Sequence, residues 1–99
     1  MLYAVMSEDV AHSSDLRARA RAKHMARLKA LIEEGRLVLA GPHPTIDSPD
    51  PGPAGFSGSL VVAEFDSLEE AQRWADEDPY LEVGAYHSVT VKPLKLVLP

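Results

Sequence analysis

Apolar residues fall along this chain in short bursts, interrupted by one long stretch with a slower rhythm. Leu2 to Met6 is a compact apolar run with Tyr and Val in it, the composition of a strand. The polar residues of Ser7 to Ser14 then break the run and offer helix caps. From Asp15 to Glu34 there is neither Gly nor Pro, and Ala and Arg dominate, so a helix is expected, with Gly35 where a C-terminal cap belongs. Arg36 to Ala40 predicts a second strand. Gly41-Pro42 opens a loop reaching to about Ser57, and its Pro44, Pro49, Pro51, Gly52, Pro53 and Gly55 leave no regular element in prospect. Gly58 to Phe65 predicts a third strand. Ser67 and Glu70 have the spacing of a capping box, which opens a second helix running to about Glu77 and stopped by Pro79. Ala85 to Val91 alternates as a fourth strand, and Leu94 to Leu98, after Pro93, is expected to add an edge strand.

The order β, α, β, β, α, β is that of a ferredoxin-like α+β fold, a split βαβ arrangement. Right-handed crossovers put both helices on one face of an antiparallel sheet and leave the other face bare. Leu37 to Ala40 and Leu60 to Ala63 are nevertheless almost continuously apolar, where strands with one wet face alternate. A second copy of the chain is the expected cover, making a homodimer. The 99 residues fit a single domain, 1–99, and a chain this short buries only roughly two thirds of its unfolded surface, so association adds much to a thin core.

Composition narrows the partners. A net charge of −5 argues against nucleic acid, whose phosphates demand an excess of Lys and Arg. Six of the ten basic residues, Arg17, Arg19, Arg21, Lys23, Arg27 and Lys29, lie in the first helix, while acids crowd Glu64 to Glu82. The absence of cysteine removes disulfides, thiolate nucleophiles and sulfur-ligated metals, and leaves the cytoplasm as the default expectation. Met1 to Met6 has no basic leader and is too short for a signal peptide's apolar core or a membrane span.

A helical wheel at about 100° per residue gathers Arg17, Arg21, His24, Leu28, Leu31 and Ile32 into one sector, with Arg19, Lys23, Arg27 and Glu34 largely on another. The second half of the sheet-facing stripe is plain core. Its first half carries two guanidiniums and an imidazole, which need anions, water or a cleft opposite them. They can snorkel off the sheet's end while His24 packs as an ordinary core histidine. Against that stands Asp76-Glu77-Asp78-Pro79-Tyr80, where acids at a helix C-terminus are badly placed unless a cation is near. A basic, imidazole-bearing face on the first helix supplies one. The long loop reads equally as a surface insertion or a pocket lid. Ser59 either donates a hydrogen bond into a pocket or merely begins its strand. The histidines show no metal-ligand spacing, and neither a Gly-x-Gly-x-x-Gly fingerprint nor a phosphate loop occurs, so no metal or nucleotide cofactor is expected.

Several blocks, taken in order, carry a resemblance: Met1-Leu2-Tyr3, Arg21-Ala22-Lys23-His24 with Leu28, Glu34-Gly35-Arg36-Leu37, Ala40-Gly41-Pro42, Asp47-Ser48, Asp50-Pro51-Gly52, Gly55-Phe56, Gly58-Ser59, Ala63-Glu64-Phe65, Trp74-Ala75-Asp76 and Asp78-Pro79-Tyr80. With these the chain closely resembles the bacterial YciI-like proteins of the YCII-related family over essentially its whole length. One departure is Ala22, where family members often carry Pro. The resemblance implies a dimeric α+β barrel with a histidine–aspartate dyad, which maps onto His24 and Asp78. A relative in the family is a dehydrochlorinase acting on a chlorinated hydroxyhydroquinone, and related barrels include muconolactone isomerases and small monooxygenases.

Two expectations result. In the first, a cofactor-independent lyase or isomerase uses His24 to move a proton, with Asp78 fixing its tautomer and supporting its charged form, on a small anionic or phenolic metabolite. Arg17 or Arg21 would hold the anion, with Ser59, Gly41, Pro42 and Tyr80 completing the substrate site. In the second, the same residues grip such a metabolite without turning it over.

Overall fold

A computed structural model describes all 99 residues. The elements are β1 (Leu2–Asp9), α1 (Ser14–Glu33), β2 (Leu37–Pro44), β3 (Phe56–Glu64), α2 (Leu68–Asp76), α3 (Pro79–Glu82) and β4 (Tyr86–Leu94), with one 3-10 turn at Gly52–Ala54. The sheet has the order β2-β3-β1-β4, every neighbouring pair antiparallel. The helices pack on one face of it, giving the expected ferredoxin-like α+β arrangement.

Alternation assigns the faces. On β1, Tyr3, Val5 and Ser7 are buried under the helices, and Val61 and Ala63 of β3 share that side with them. They pack with Leu28 and Leu31 of α1, Ala71 and Ala75 of α2, and Phe65, forming the aliphatic core. A second, smaller cluster of Ala20, Tyr80, Ala85 and Tyr86 lies toward the start of α1. Between them the α1 stripe passes from Leu to His.

Helix α1 ends as its glycine foretells. Gly35 takes φ +71°, its N–H donates to Ile32, and Arg36 N–H reaches back to the Leu31 carbonyl, the paired bonds of a Schellman close. Ser67 caps α2 by accepting from Glu70 N–H at 3.1 Å.

Four expectations need correction. Strand β2 does not stop at Ala40 but runs through Gly41-Pro42 to Pro44. It pairs with β3 alone, and an edge strand tolerates a residue that cannot donate on its free side. The loop therefore shrinks to residues 45–55, closed at its base by Thr45 N–H to Gly55 carbonyl at 2.9 Å, and it holds the 3-10 turn. Pro79 does not merely stop α2: it is the first residue of α3, where a missing N–H costs nothing. Leu94 to Leu98 is no added strand, because β4 is already the edge and Leu94 lies opposite Leu2, where β1 begins; residues 95–99 have nothing left to pair with.

Candidate active site

The site is built where the polar half of the α1 stripe meets the ends of β1 and β3 and the short helix α3. Asp78 has extended backbone angles and serves as N-cap of α3, its Oδ1 accepting the Tyr80 N–H at 2.8 Å. The same oxygen lies 3.0 Å from His24 Nδ1, and both side chains are buried. A carboxylate only accepts, so His24 donates to it through Nδ1–H, which leaves Nε2 as the ring nitrogen outside the pair. The imidazole lies flat on the Tyr80 ring, centroids 3.9 Å apart, with Tyr86 edge-on at 6.4 Å. Ring orientation is thus set from three sides. Nε2 has no protein hydrogen-bond partner and is not sealed in, since the only buried side-chain nitrogen or oxygen without a partner is Arg27 Nη1.

His24 opens onto a cleft of about 380 Å³ between α1 and the β2–β3 edge. Arg17, Arg21, Gly41, Pro42, Ser59 and Tyr80 all line it, so the structure brings together every expected ligand-side residue, with Asp78 behind His24. The remaining wall is largely apolar, from Met25, Leu28 and Ile32 of α1 to Leu37, Ala40 and Val61 of the sheet. Ile32 is not core, as the wheel suggested, but a 59% exposed lip of this cleft. None of residues 45–55 lines it, so the loop is not its lid in this conformation.

Arg17 is less free than its sequence position suggests. Its Nε and Nη2 form a fork on the Asp9 carboxylate at 2.6 and 2.8 Å, and Nη2 also reaches the Gly58 carbonyl at 3.1 Å and Ser59 Oγ at 3.2 Å. Ser13 donates to the same carboxylate. The rings of Phe56, Tyr80 and Tyr86 surround the guanidinium at 5.0–5.6 Å. Burial alone would lower its pKa, but the Asp9 bond and charge outweigh it and hold it above the ordinary arginine value. Gly58 lets β1 and β3 lie this close beside it, because a Cβ there would stand 2.2 Å from the Ser7 carbonyl oxygen. Arg21, by contrast, has no carboxylate within ion-pair distance.

Tyr86 donates to Ser59 Oγ at 2.8 Å. Burial pushes its phenol above the usual tyrosine range, although bonds with Ser59 and Ser7 pull the other way. Tyr80 is pushed up for the same reason, against the charges of Arg17 and Arg21. No group of three or more His, Asp and Glu side chains stands where it could hold a metal ion.

Sequence reasoning missed Asp9, Arg27 and Tyr86. Asp9 and Tyr86 gave no signal, since each is one polar-tipped residue at a strand end. Arg27 did: it follows His24 by three residues, the spacing of helix neighbours.

Comparison with known proteins bears on the family and the fold. A family model described as the YCII-related domain matches residues 1–95. The chain belongs to the YCII-related family. The protein YciI of Escherichia coli O6:H1 is 56% identical over 97 residues, covering 98% of this chain and 99% of the relative. An uncharacterised protein of Haemophilus influenzae is 46% identical over the same length, with the same coverage. Among solved structures, 5-chloro-2-hydroxyhydroquinone dehydrochlorinase from Burkholderia phenoliruptrix AC1100, in complex with 2,5-dihydroxybenzoquinone, superposes with a TM-score of 0.82 at 23% identity, over 96% of this chain and 94% of that one. That likeness fixes the fold of this YCII-related domain. No helix in it is long and apolar enough to cross a membrane.

Proposed function

We propose that this protein is a cofactor-independent enzyme of lyase or isomerase type, in which His24 moves a proton on a small phenolic or anionic ligand bound in the cleft. One observation carries the reading. The imidazole is locked by Asp78 on one nitrogen while the other faces an apolar cleft, which is the geometry a general base or acid requires. A buried, stacked histidine meant only for packing has no need of an open nitrogen. Asp78 keeps the proton on Nδ1 and stabilises the ring when Nε2 gains one. Arg21, without a carboxylate of its own, holds the ligand's anionic oxygen; Arg17, neutralised by Asp9, shapes the wall and presents Ser59. Gly41, Pro42 and Tyr80 close around a flat ring.

The chemistry of the structural neighbour supplies a concrete case. Loss of HCl from a chlorinated hydroxyhydroquinone needs two proton movements. One hydroxyl proton shifts to the chlorine-bearing ring carbon, which becomes tetrahedral in the keto tautomer. A base then takes a second hydroxyl proton, whose electron pair forms a new C=O π bond while the displaced ring π pair forms a C=C bond and chloride departs with the C–Cl pair, leaving a hydroxyquinone. His24 Nε2 takes that second proton here. The test is chloride release from 5-chloro-2-hydroxyhydroquinone, together with absorbance-detected binding of 2,5-dihydroxybenzoquinone. Saturable binding with release abolished in His24→Ala supports the enzyme. Binding without release in the wild type favours a metabolite-binding protein, and neither would end both readings.

The working unit in this proposal is a homodimer joined through the free sheet face. There half-buried Ala4, Met6 and Leu60 and buried Val62 share a face with Leu39, which is 46% exposed. Light scattering at micromolar concentration is expected to give about twice the 10.8 kDa chain mass, and Leu39→Glu to return it to one. A wild-type monomer there would overturn the dimer.

A further inference from the structure

Arg27 lies about one turn beyond His24 on α1, facing α2. Its guanidinium covers the Trp74 ring at 4.4 Å, and Nη2 donates to the Trp74 carbonyl. Nη1 is the one buried side-chain polar atom in the protein with no hydrogen-bond partner, and it lies 3.9 Å from Asp78 Oδ2. Asp78 Oδ1 serves both His24 and Tyr80, so Oδ2 is the oxygen no protein group yet bonds. Leaving a guanidinium nitrogen buried and unbonded is costly, and a clamp on Trp74 alone could keep Nη1 in water. It points instead at the free oxygen of the dyad.

We propose that Arg27 is a positioning residue for the dyad, its guanidinium drawing Asp78 Oδ2 to its side so that Oδ1 stays on His24. This rests on the reading of His24 as the proton-transfer group. Every element around Asp78 contributes a facing group: His24 and Arg27 from α1, Tyr80 from α3, Tyr86 from β4, Ser7 and Ser59 across a small internal void, and Glu77 next in the chain. Of these, only Arg27 is a permanent cation within ion-pair distance, and Glu77 repels. Burial pushes Arg27 below the usual arginine value, with the charges of Asp78 and then Glu77 opposing it.

The experiment follows the His24 Nδ1 proton by NMR in the ligand-free protein. In Arg27→Gln that proton is expected to exchange with water about tenfold faster than in the wild type, roughly the worth of one hydrogen bond. Arg27→Lys, which keeps the charge and loses the fork, should restore most of that difference. A folded Arg27→Gln with unchanged exchange of the Nδ1 proton would show that Arg27 only clamps Trp74. Should Arg27→Gln not fold, the reciprocal measurement decides. Slow rotation of the Arg27 Nη groups in the wild type, lost in Asp78→Asn, supports the pairing; equal rotation in both overturns it. Failure of the wild type to bind 2,5-dihydroxybenzoquinone would strike the function alone, because the exchange is read without ligand.

Discussion

The two ends of the helix-covered sheet face are held together by different forces. Under the second half of α1, Val5, Leu28, Leu31, Val61, Ala63 and Phe65 pack as an aliphatic core, where burial itself stabilises at roughly 25 cal/mol per Å². Under the first half, His24, Asp78, Ser59 and Tyr86 are buried and Arg17 and Asp9 half-buried, with most of their polar atoms paired. Such a network adds little over apolar packing when complete and costs much when one member is lost. A 99-residue chain with a thin core gains nothing in stability from building its fold this way. On the proposed function the polar end is the site, and the aliphatic end the frame that holds it.

The sharpest way to break that comparison is through rate. If the chlorinated substrate is turned over, His24→Ala is expected to slow it about 10² to 10⁴-fold, the usual worth of a positioned proton-transfer group, while the melting transition stays cooperative. A variant that keeps its rate per folded molecule but melts at a much lower temperature would make His24 part of the frame. Next in size is Asp9→Ala, which strands the buried Arg17 charge and should cost about 3–5 kcal/mol in a urea titration. Asp9→Leu with Arg17→Met removes both partners and should recover much of that loss. If Asp9→Ala costs no more than a surface change, the ion pair does not hold the polar end.

At the other end, Leu31→Ala should cost about 3 kcal/mol by emptying a well-packed position, yet leave the rate per folded molecule nearly unchanged. A large fall in rate at full folding would mean that frame and site are not separable. The smallest effect is alkaline. Tyr80 and Tyr86 are raised above the ordinary 10.0 in the folded state, so folding favours their protonated forms. Their contribution is complete below about pH 10, the unfolded value, and is lost as pH climbs through the folded values. Phenolate absorbance should accordingly show late-ionising groups that vanish in Tyr80→Phe and Tyr86→Phe. Ordinary titration of both would show that water reaches the polar end freely.

The parts of this molecule that could be read in advance are those with local causes. Helix α1 shows in an uninterrupted run from Asp15 to Glu34 and a glycine beyond it, and α2 in the Ser67–Glu70 spacing. Helix α3 has four residues, too few for any period, and its only sign, a proline after an aspartate, reads equally as a stop. The continuation of β2 across Gly41-Pro42 depends on its being an edge strand, a property of the assembled sheet. The resemblance pointed to His24 and Asp78. The wheel put Arg17 in the right sector but could not show that Asp9, from another strand, had already taken its charge. It misjudged Arg27, whose burial is created by Trp74 on a different helix.

One oxygen of Asp78 both caps α3 and orients the imidazole. Architecture and chemistry share that atom, so they cannot drift apart in evolution. On the proposed function, a descendant that abandoned the reaction would still need an acceptor at position 78 to start the helix that carries Tyr80. An N-cap residue, Asp, Asn, Ser or Thr, would persist there, while the histidine, with no second task of that kind, was released to vary. In telling working members of such a lineage from retired ones, position 24 is the informative one.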